Sequence, residues 1–289
     1  MKTFIKRNLK LYFRDKVGVF FSLLAVFIIL GLYVLFLGDM TVNGIEASTG
    51  ITGAKILIDT WIISGILSVI TVTATLGAFN IMINDKEKKI SKDFNSSPIK
   101  KSAVTGGYIG SAFLIGIIMS VLALVVSSIY LLFKGAELLS FVEYVKIFLL
   151  ILLTSLSNTA FVCFIVSFLK SQNAYSTVSS IIGTLIGFLT GIYIPIGSFP
   201  EAVQTVIKFF PPSHGAVLFR QILMDRPIKN SFEGIPVEHL NDFKEMMGVK
   251  FHFRSYEVTP VLSIIILAST AVLFYILSIL NMKKKSKTR

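Results

Sequence analysis

Apolar residues fall into six long runs separated by polar segments: Val17–Leu37, Ile56–Ile83, Ala103–Phe133, Val145–Leu169, Ala174–Ile196 and Val258–Met282. A helix needs about 20 residues to cross a hydrocarbon layer of about 30 Å, so each run predicts a membrane span. The third is longer than one crossing requires and must tilt or project past a face. The first is too long for a secretory leader's apolar core and no small-residue cleavage site follows it, which predicts an uncleaved span. Residues 1–16 precede it as a basic amphipathic helix, with Ile5, Leu9, Tyr12 and Phe13 on one side and Lys6, Arg7, Lys10 and Arg14 on the adjacent side. Between the last two runs, residues 197–257 begin with two short apolar pieces, Glu201–Phe210 and Ser213–Met224, near Pro195, Pro200, Pro211 and Pro212. Neither is long enough to span, and both are expected as re-entrant helices. Pro236–Gly248 places Val237, Leu240, Phe243 and Met247 at helical spacing and predicts a small surface helix. The pattern as a whole predicts an all-α integral membrane fold. An interface helix over 1–16 leads into a six-span domain over 17–289.

Composition agrees. Of 289 residues, 54% are hydrophobic and 15% charged, with a mean hydropathy of +0.77. That excludes a disordered chain and leaves too few polar residues to coat a soluble globule. The net charge of +12 invites a nucleic-acid reading until its placement is considered. Eighteen of the 28 Lys and Arg lie in the N-terminal segment, the loop 84–102, Lys170 and the tail after Met282. These are the segments that six crossings put on one side. By the positive-inside rule that side is cytoplasmic, with both termini, and 197–257 is external. The partner of this charge is then an anionic lipid bilayer, with no nucleic acid expected.

Four features carry candidate chemistry. In the loop NDKEKKISKDFNSSPIKKS, Ile90, Phe94 and Ile99 interrupt the charge and Pro98 stops any helix near Ser97, a pattern suited to docking on a cytosolic partner. Thr60, Ser64, Ser68, Thr71 and Thr75 share one face of the second span, which suits a translocation path or hydrogen bonds between helices. Gly183, Gly187 and Gly191, with Ser176 and Ser180, offer a small-residue face for helix packing, within the chain or against a second copy. The basic amphipathic helix over 1–16 is the fourth, as an anchor or a lever in the inner interface. The lone Cys163 and the scattered His214, His239 and His252 have no metal-ligand spacing, and no phosphate loop or hydrolase motif occurs. The chain is therefore expected not to be an enzyme, and to be either passive or driven by a partner. Alternatives are a passive channel, an assembly subunit, or a membrane-embedded enzyme with an outer-face site near His214, Arg220, His239 or His252.

Three segments carry a family resemblance: KTFIKRNLKLYFRDK, DKEKKISKDFNSSPIKK and YIPIGSFPEAVQTVIKFFPPSHGAVLFRQIL. They resemble the interface helix, the cytoplasmic loop and the span-five exit of the permease subunit of bacterial ABC-2-type exporters. One departure is that Lys89, Ile90 and Ser91 stand where members often have Gly-Thr-Leu. The resemblance implies a half-transporter in a bacterial plasma membrane, working with a cytosolic ABC ATPase subunit and a second permease copy or paralogue. ATP and Mg would be bound by that ATPase, and no cofactor by this chain. It implies coupling through Glu87, Ile90, Phe94, Ser97, Pro98 and Ile99, a path along Ser64, Ser68, Thr71 and Thr75, and an outer gate at Pro200, Pro211, Pro212, His214 and Arg220. The implied cargo is amphipathic or hydrophobic: a drug, peptide antibiotic or lipid-like metabolite.

Overall fold

The computed structural model describes residues 1–51, 53–96, 99–253 and 256–287. It is built almost entirely of helices. α1 (Lys2–Arg14) is followed by α2 (Lys16–Leu32), which runs through a π-helical stretch at Tyr33–Leu37 into α3 (Gly38–Thr49). Next come α4 (Lys55–Glu87), α5 (Ile90–Ser96), α6 (Lys101–Phe133), α7 (Phe141–Phe168) and α8 (Gln172–Leu189). Short helices α9 (Glu201–Phe209), α10 (Pro211–Leu223), α11 (Asp225–Ser231) and α12 (Val237–Met246) precede the long α13 (Pro260–Lys287). One feature was not expected: a two-stranded antiparallel hairpin pairing His252 with Glu257 and Phe253 with Tyr256.

Among the described residues, α4, α6, α7 and α13 are long and apolar enough to cross a membrane. The other two expected spans differ from their sequence reading. The first does not stop at Leu37 but continues past the π-helical stretch to Thr49. The fifth ends at Leu189, short of the expected Ile196, because Gly191 adopts a left-handed φ of 68° and turns the chain out of the helix.

α4 is the axis of the fold. Of its most apolar stretch, 94% is buried, against 22% for α13. Apolar residues line α4 on every side, so it has no surface face and packs against α2, α6, α7, α8 and α10. α13 instead leans on α7 and leaves Val261, Ile265, Val272 and Tyr275 exposed. Both α4 and α6 have 33 residues, or about 50 Å at 1.5 Å per residue, so they outrun a hydrocarbon layer and carry polar groups at their ends. α7 starts at a capping box, Ser140 with Glu143, which Arg226 of α11 extends through an ion pair of 2.9 Å.

Candidate functional site

At the basic end of the molecule, α1 lies across α6 and the last turns of α4. Three glycines of α6 allow this close approach. A Cβ at Gly107 would stand 2.5 Å from the Phe4 ring, and one at Gly110 3.0 Å from Ile5; Gly106 lies under Met1. The face that α1 turns inward is not the apolar stripe alone. Arg7 donates two hydrogen bonds to the Asp85 carboxylate, at 2.7 and 2.9 Å, and the Tyr108 hydroxyl donates to the same group at 2.6 Å. Asn8, fully buried, donates to Ser111 Oγ at 3.1 Å. Bonding to Asp85 raises the Arg7 guanidinium still further above its ordinary range, against the opposing effect of burial. Arg7 was expected among the lipid-facing cations. A helical wheel fixes which residues share a flank but not which flank meets protein, and Asp85 decides that.

The loop helix α5 joins the same cluster. Phe94 is half-buried, with its ring edge-on to Phe4 at 5.1 Å and the Arg7 guanidinium 5.2 Å above it. It was expected as an exposed tooth for a partner; the returning α1 already covers part of it. Glu87 closes α4, and Lys89, with φ of 62°, reverses the chain into Ile90. Ile99 is 46% exposed. Ser97 and Pro98 lie outside the described residues.

The hydroxyl stripe of α4 is buried throughout. Thr60, Ser64, Thr71 and Thr75 donate to carbonyls of their own helix at 2.6–2.9 Å, while Ser68 donates to Pro212 O of α10 at 2.8 Å. Facing the stripe is a second polar set that the sequence reading missed, Thr154, Ser155, Asn158 and Thr159 of α7. Asn158 donates to Thr71 Oγ1 at 2.6 Å. Its Oδ1, Ser155 Oγ and Thr159 Oγ1 are buried with no partner among the described residues. The stripe is thus closed in by protein, with unanswered polar atoms beside it.

At the far end, α10 carries the residues expected as a gate. Pro211 and Pro212 are buried in its first turn, and Pro200 caps α9 at the surface. His214 is buried, its ring nitrogens within hydrogen-bond reach of Ser263 Oγ (3.2 Å) and Lys208 O (2.9 Å). Arg220 has no solvent exposure and no ion-pair partner among the described residues. It donates to the carbonyls of Thr190 and Gly191 at the end of α8, at 2.9 and 3.0 Å, and to Gly248 after α12 at 3.3 Å. Its guanidinium sits 5.2 Å over the Trp61 ring, and Trp61 in turn donates to Met247 O at 2.8 Å. Tyr33 in the π-helical stretch donates to Ile192 O and meets Trp61 edge-on. Carbonyl ends of two helices thus supply the negative potential that a carboxylate would. Tyr33 and Trp61 were not singled out from sequence; an aromatic inside an otherwise aliphatic run was the available signal.

Within this chain the three glycines of the repeat meet different surroundings. Gly183 has open space where a Cβ would be, Gly187 makes room for the Tyr193 ring, and Gly191 lies beyond the helix end. His239 is exposed, His252 pairs with Glu245 at 3.1 Å, and no metal-holding cluster occurs among the described residues.

Among the described residues, four helices long and apolar enough to cross a membrane, with α6 and α7 packed on α4 and α13 on α7, mark an all-α membrane protein. A family model described as ABC-2 family transporter protein matches residues 53–280, and the chain belongs to that family, the membrane permeases of ABC-type transporters. The match begins after α3, so α1 and α2 lie outside it. A search of curated proteins returns no match.

Proposed function

We propose that this chain is the membrane half of an ATP-driven exporter, crossing a bacterial plasma membrane six times with both termini inside. In that reading α2 with its extension and the shorter α8 are the remaining two spans, and α9 and α10 re-enter from the outer side. The carrying observation is the cluster of Phe4, Arg7, Asp85, Phe94 and Tyr108. It joins α1, α5 and the ends of α4 and α6 through contacts at named atoms. A push on α5 by a cytosolic ATPase would reach both long helices without any hinge between, as a lever requires.

The docking surface left for the ATPase is then Glu87, Ile90, Ile99 and the lysines of the loop, with Ser97 and Pro98 between. The α4 stripe and the facing Asn158 form the path in its closed state, where the unpartnered atoms of Asn158, Ser155 and Thr159 wait for water or cargo. Arg220 and His214 hold the outer gate shut. The cargo class is amphipathic, and a second copy or paralogue completes the transporter.

The test is co-purification of this chain with an ATPase subunit, followed by ATP hydrolysis in lipid against a panel of amphipathic compounds. Capture of the ATPase with cargo-stimulated hydrolysis is expected. Cargo flux through the chain with no ATPase present would favour a passive channel instead.

A further inference from the structure

The far end also holds a cavity of about 480 Å³ between α11, α12, the residues after α12 and the mouth of α13. Its apolar wall includes Ile228, Phe232 and Leu240. Its polar rim has three lysines and two acids. Lys229 pairs with Asp225 at 2.6 Å and Lys250 with Glu257 at 3.0 Å. Lys244, half-buried, has no such partner among the described residues. Burial and the neighbouring Lys250 hold its ammonium below the usual lysine range. The rim of the cavity, with three lysines to two acids, therefore carries an excess of one cation above an apolar wall. Pro260, the first residue of α13, closes one side. Just below it on the same helix, Val261, Leu262 and Ile265 are exposed.

We propose that this cavity binds the phosphodiester headgroup of an anionic phospholipid from the outer leaflet, with Lys244 meeting the phosphate and the acyl chains running down α13. One negative charge matches one excess cation, and Pro260 on the cavity's edge is followed by exposed apolar residues of α13. A soluble phosphate would leave that wall uncovered. The assignment rests on the reading that puts 197–257 outside, but its test does not depend on orientation.

The full chain is purified in detergent, exchanged with phosphatidylglycerol or phosphatidylcholine, and weighed by native mass spectrometry. Wild type is expected to retain one phosphatidylglycerol per chain through detergent washing and to lose phosphatidylcholine. Lys244→Gln should lower the retained fraction by about tenfold, as expected for one lost charge-assisted hydrogen bond. Lys244→Arg should keep it. Octyl phosphate should displace the lipid, while inorganic phosphate at equal concentration should not. Equal retention by wild type and Lys244→Gln overturns the proposal. So does displacement by inorganic phosphate as effective as by octyl phosphate, which would mark a soluble-anion site. Should Lys244→Gln fail to fold, the choice falls to wild type and Lys244→Arg, and no preference of either for phosphatidylglycerol sinks it. Failure here leaves the six-span reading intact, since that stands on accessibility of the loops.

Discussion

Two arginines organise the two ends of this protein, and they are held in opposite ways. Arg7 meets a carboxylate and a phenol, and its side chain keeps 30% of its surface open. Arg220 is sealed, and its described partners are three carbonyls and an aromatic face, with its Nε left unpartnered. The pair is lopsided: Arg7 can meet water at its open edge, whereas Asp85, 5% exposed, would keep only the Tyr108 hydroxyl among its described partners if Arg7 left. A sealed guanidinium has no such exchange, and the carbonyls it leaves would be stranded. The basic end therefore keeps one partner in reach of water, and the far end keeps none.

The largest effect should follow from Arg220. Arg220→Ala empties a buried site and strands three carbonyls, at a cost of at least about 3 kcal/mol. The thermal midpoint of the purified chain should fall steeply. Emission from Trp61, the chain's only tryptophan, should shift as its cation and its wrapping are lost. Arg220→Lys should recover part of the loss, because an ammonium keeps the charge but not the planar fork. A normal midpoint for Arg220→Ala would erase the contrast between the two ends.

Asp85→Ala should cost less, about 1–2 kcal/mol, since the open edge of Arg7 lets water replace the carboxylate. A double-mutant cycle with Arg7→Ala should return a coupling of about 1 kcal/mol. On the proposed lever, these variants still bind the ATPase but hydrolyse ATP without moving cargo. Loss of folding on the scale of Arg220→Ala would mean that the basic end depends on its pair as strongly as the far end does on Arg220.

Phe94 refines the same point. Because Phe4 and Arg7 already occupy its ring, Phe94→Ala should loosen α5 from α1, by about 1 kcal/mol. A disulfide-trapping pair across α1 and α5 should then form more slowly. Recovery of the ATPase in a pull-down should fall further for Ile99→Ala, whose side chain is free to meet a partner. The reverse order would restore Phe94 as the partner's anchor. Orientation is checked alongside, on a Cys163→Ala background. Cysteines at Ser231 and Glu238 should label from outside intact cells and one at Glu87 should not.

Helix positions were legible in the sequence wherever a long apolar run or a proline marked them. α10 starts at Pro211, two residues ahead of the expected Ser213, Pro236 is the N-cap of α12 just outside its first turn, and the hydroxyl stripe of α4 is one buried column. Contacts between distant segments were not legible. Arg7 reaches Asp85 across 78 positions, and Arg220 reaches carbonyls, which every residue has and no motif displays. Within this chain the glycines that let one helix close on another are Gly107 and Gly110, where α1 returns on α6. Spacing shows that small residues share a face, but only the approach of a second backbone makes them necessary. Asp85, the acid nearest the end of the α4 run, was the sequence's visible pointer to this contact.

The smallest effect belongs to the lysines beside Arg7, and it sharpens what sets that arginine apart. Lys6 and Lys10 are exposed on α1. Each should gain about 1 kcal/mol from an anionic leaflet and nothing comparable from the protein. The double change Lys6→Gln, Lys10→Gln should therefore leave stability in neutral detergent within about 0.5 kcal/mol of wild type. In bilayers rich in anionic lipid the same variant should lose the lipid's stabilising effect, and added salt should shrink the difference, because exposed charges are screened beyond about 10 Å at 0.1 M. Arg7→Gln should behave otherwise, losing stability in detergent and in either lipid, since its partner Asp85 belongs to the protein. The measurement is the unfolding midpoint of all three chains in detergent and in nanodiscs with and without anionic lipid. If the lysine pair and Arg7 respond alike in every medium, the inner arginine is one more surface cation and the lever has no latch. If only Arg7 matters in detergent, the charge on α1 divides into two lysines that read the membrane and one arginine that reads α4.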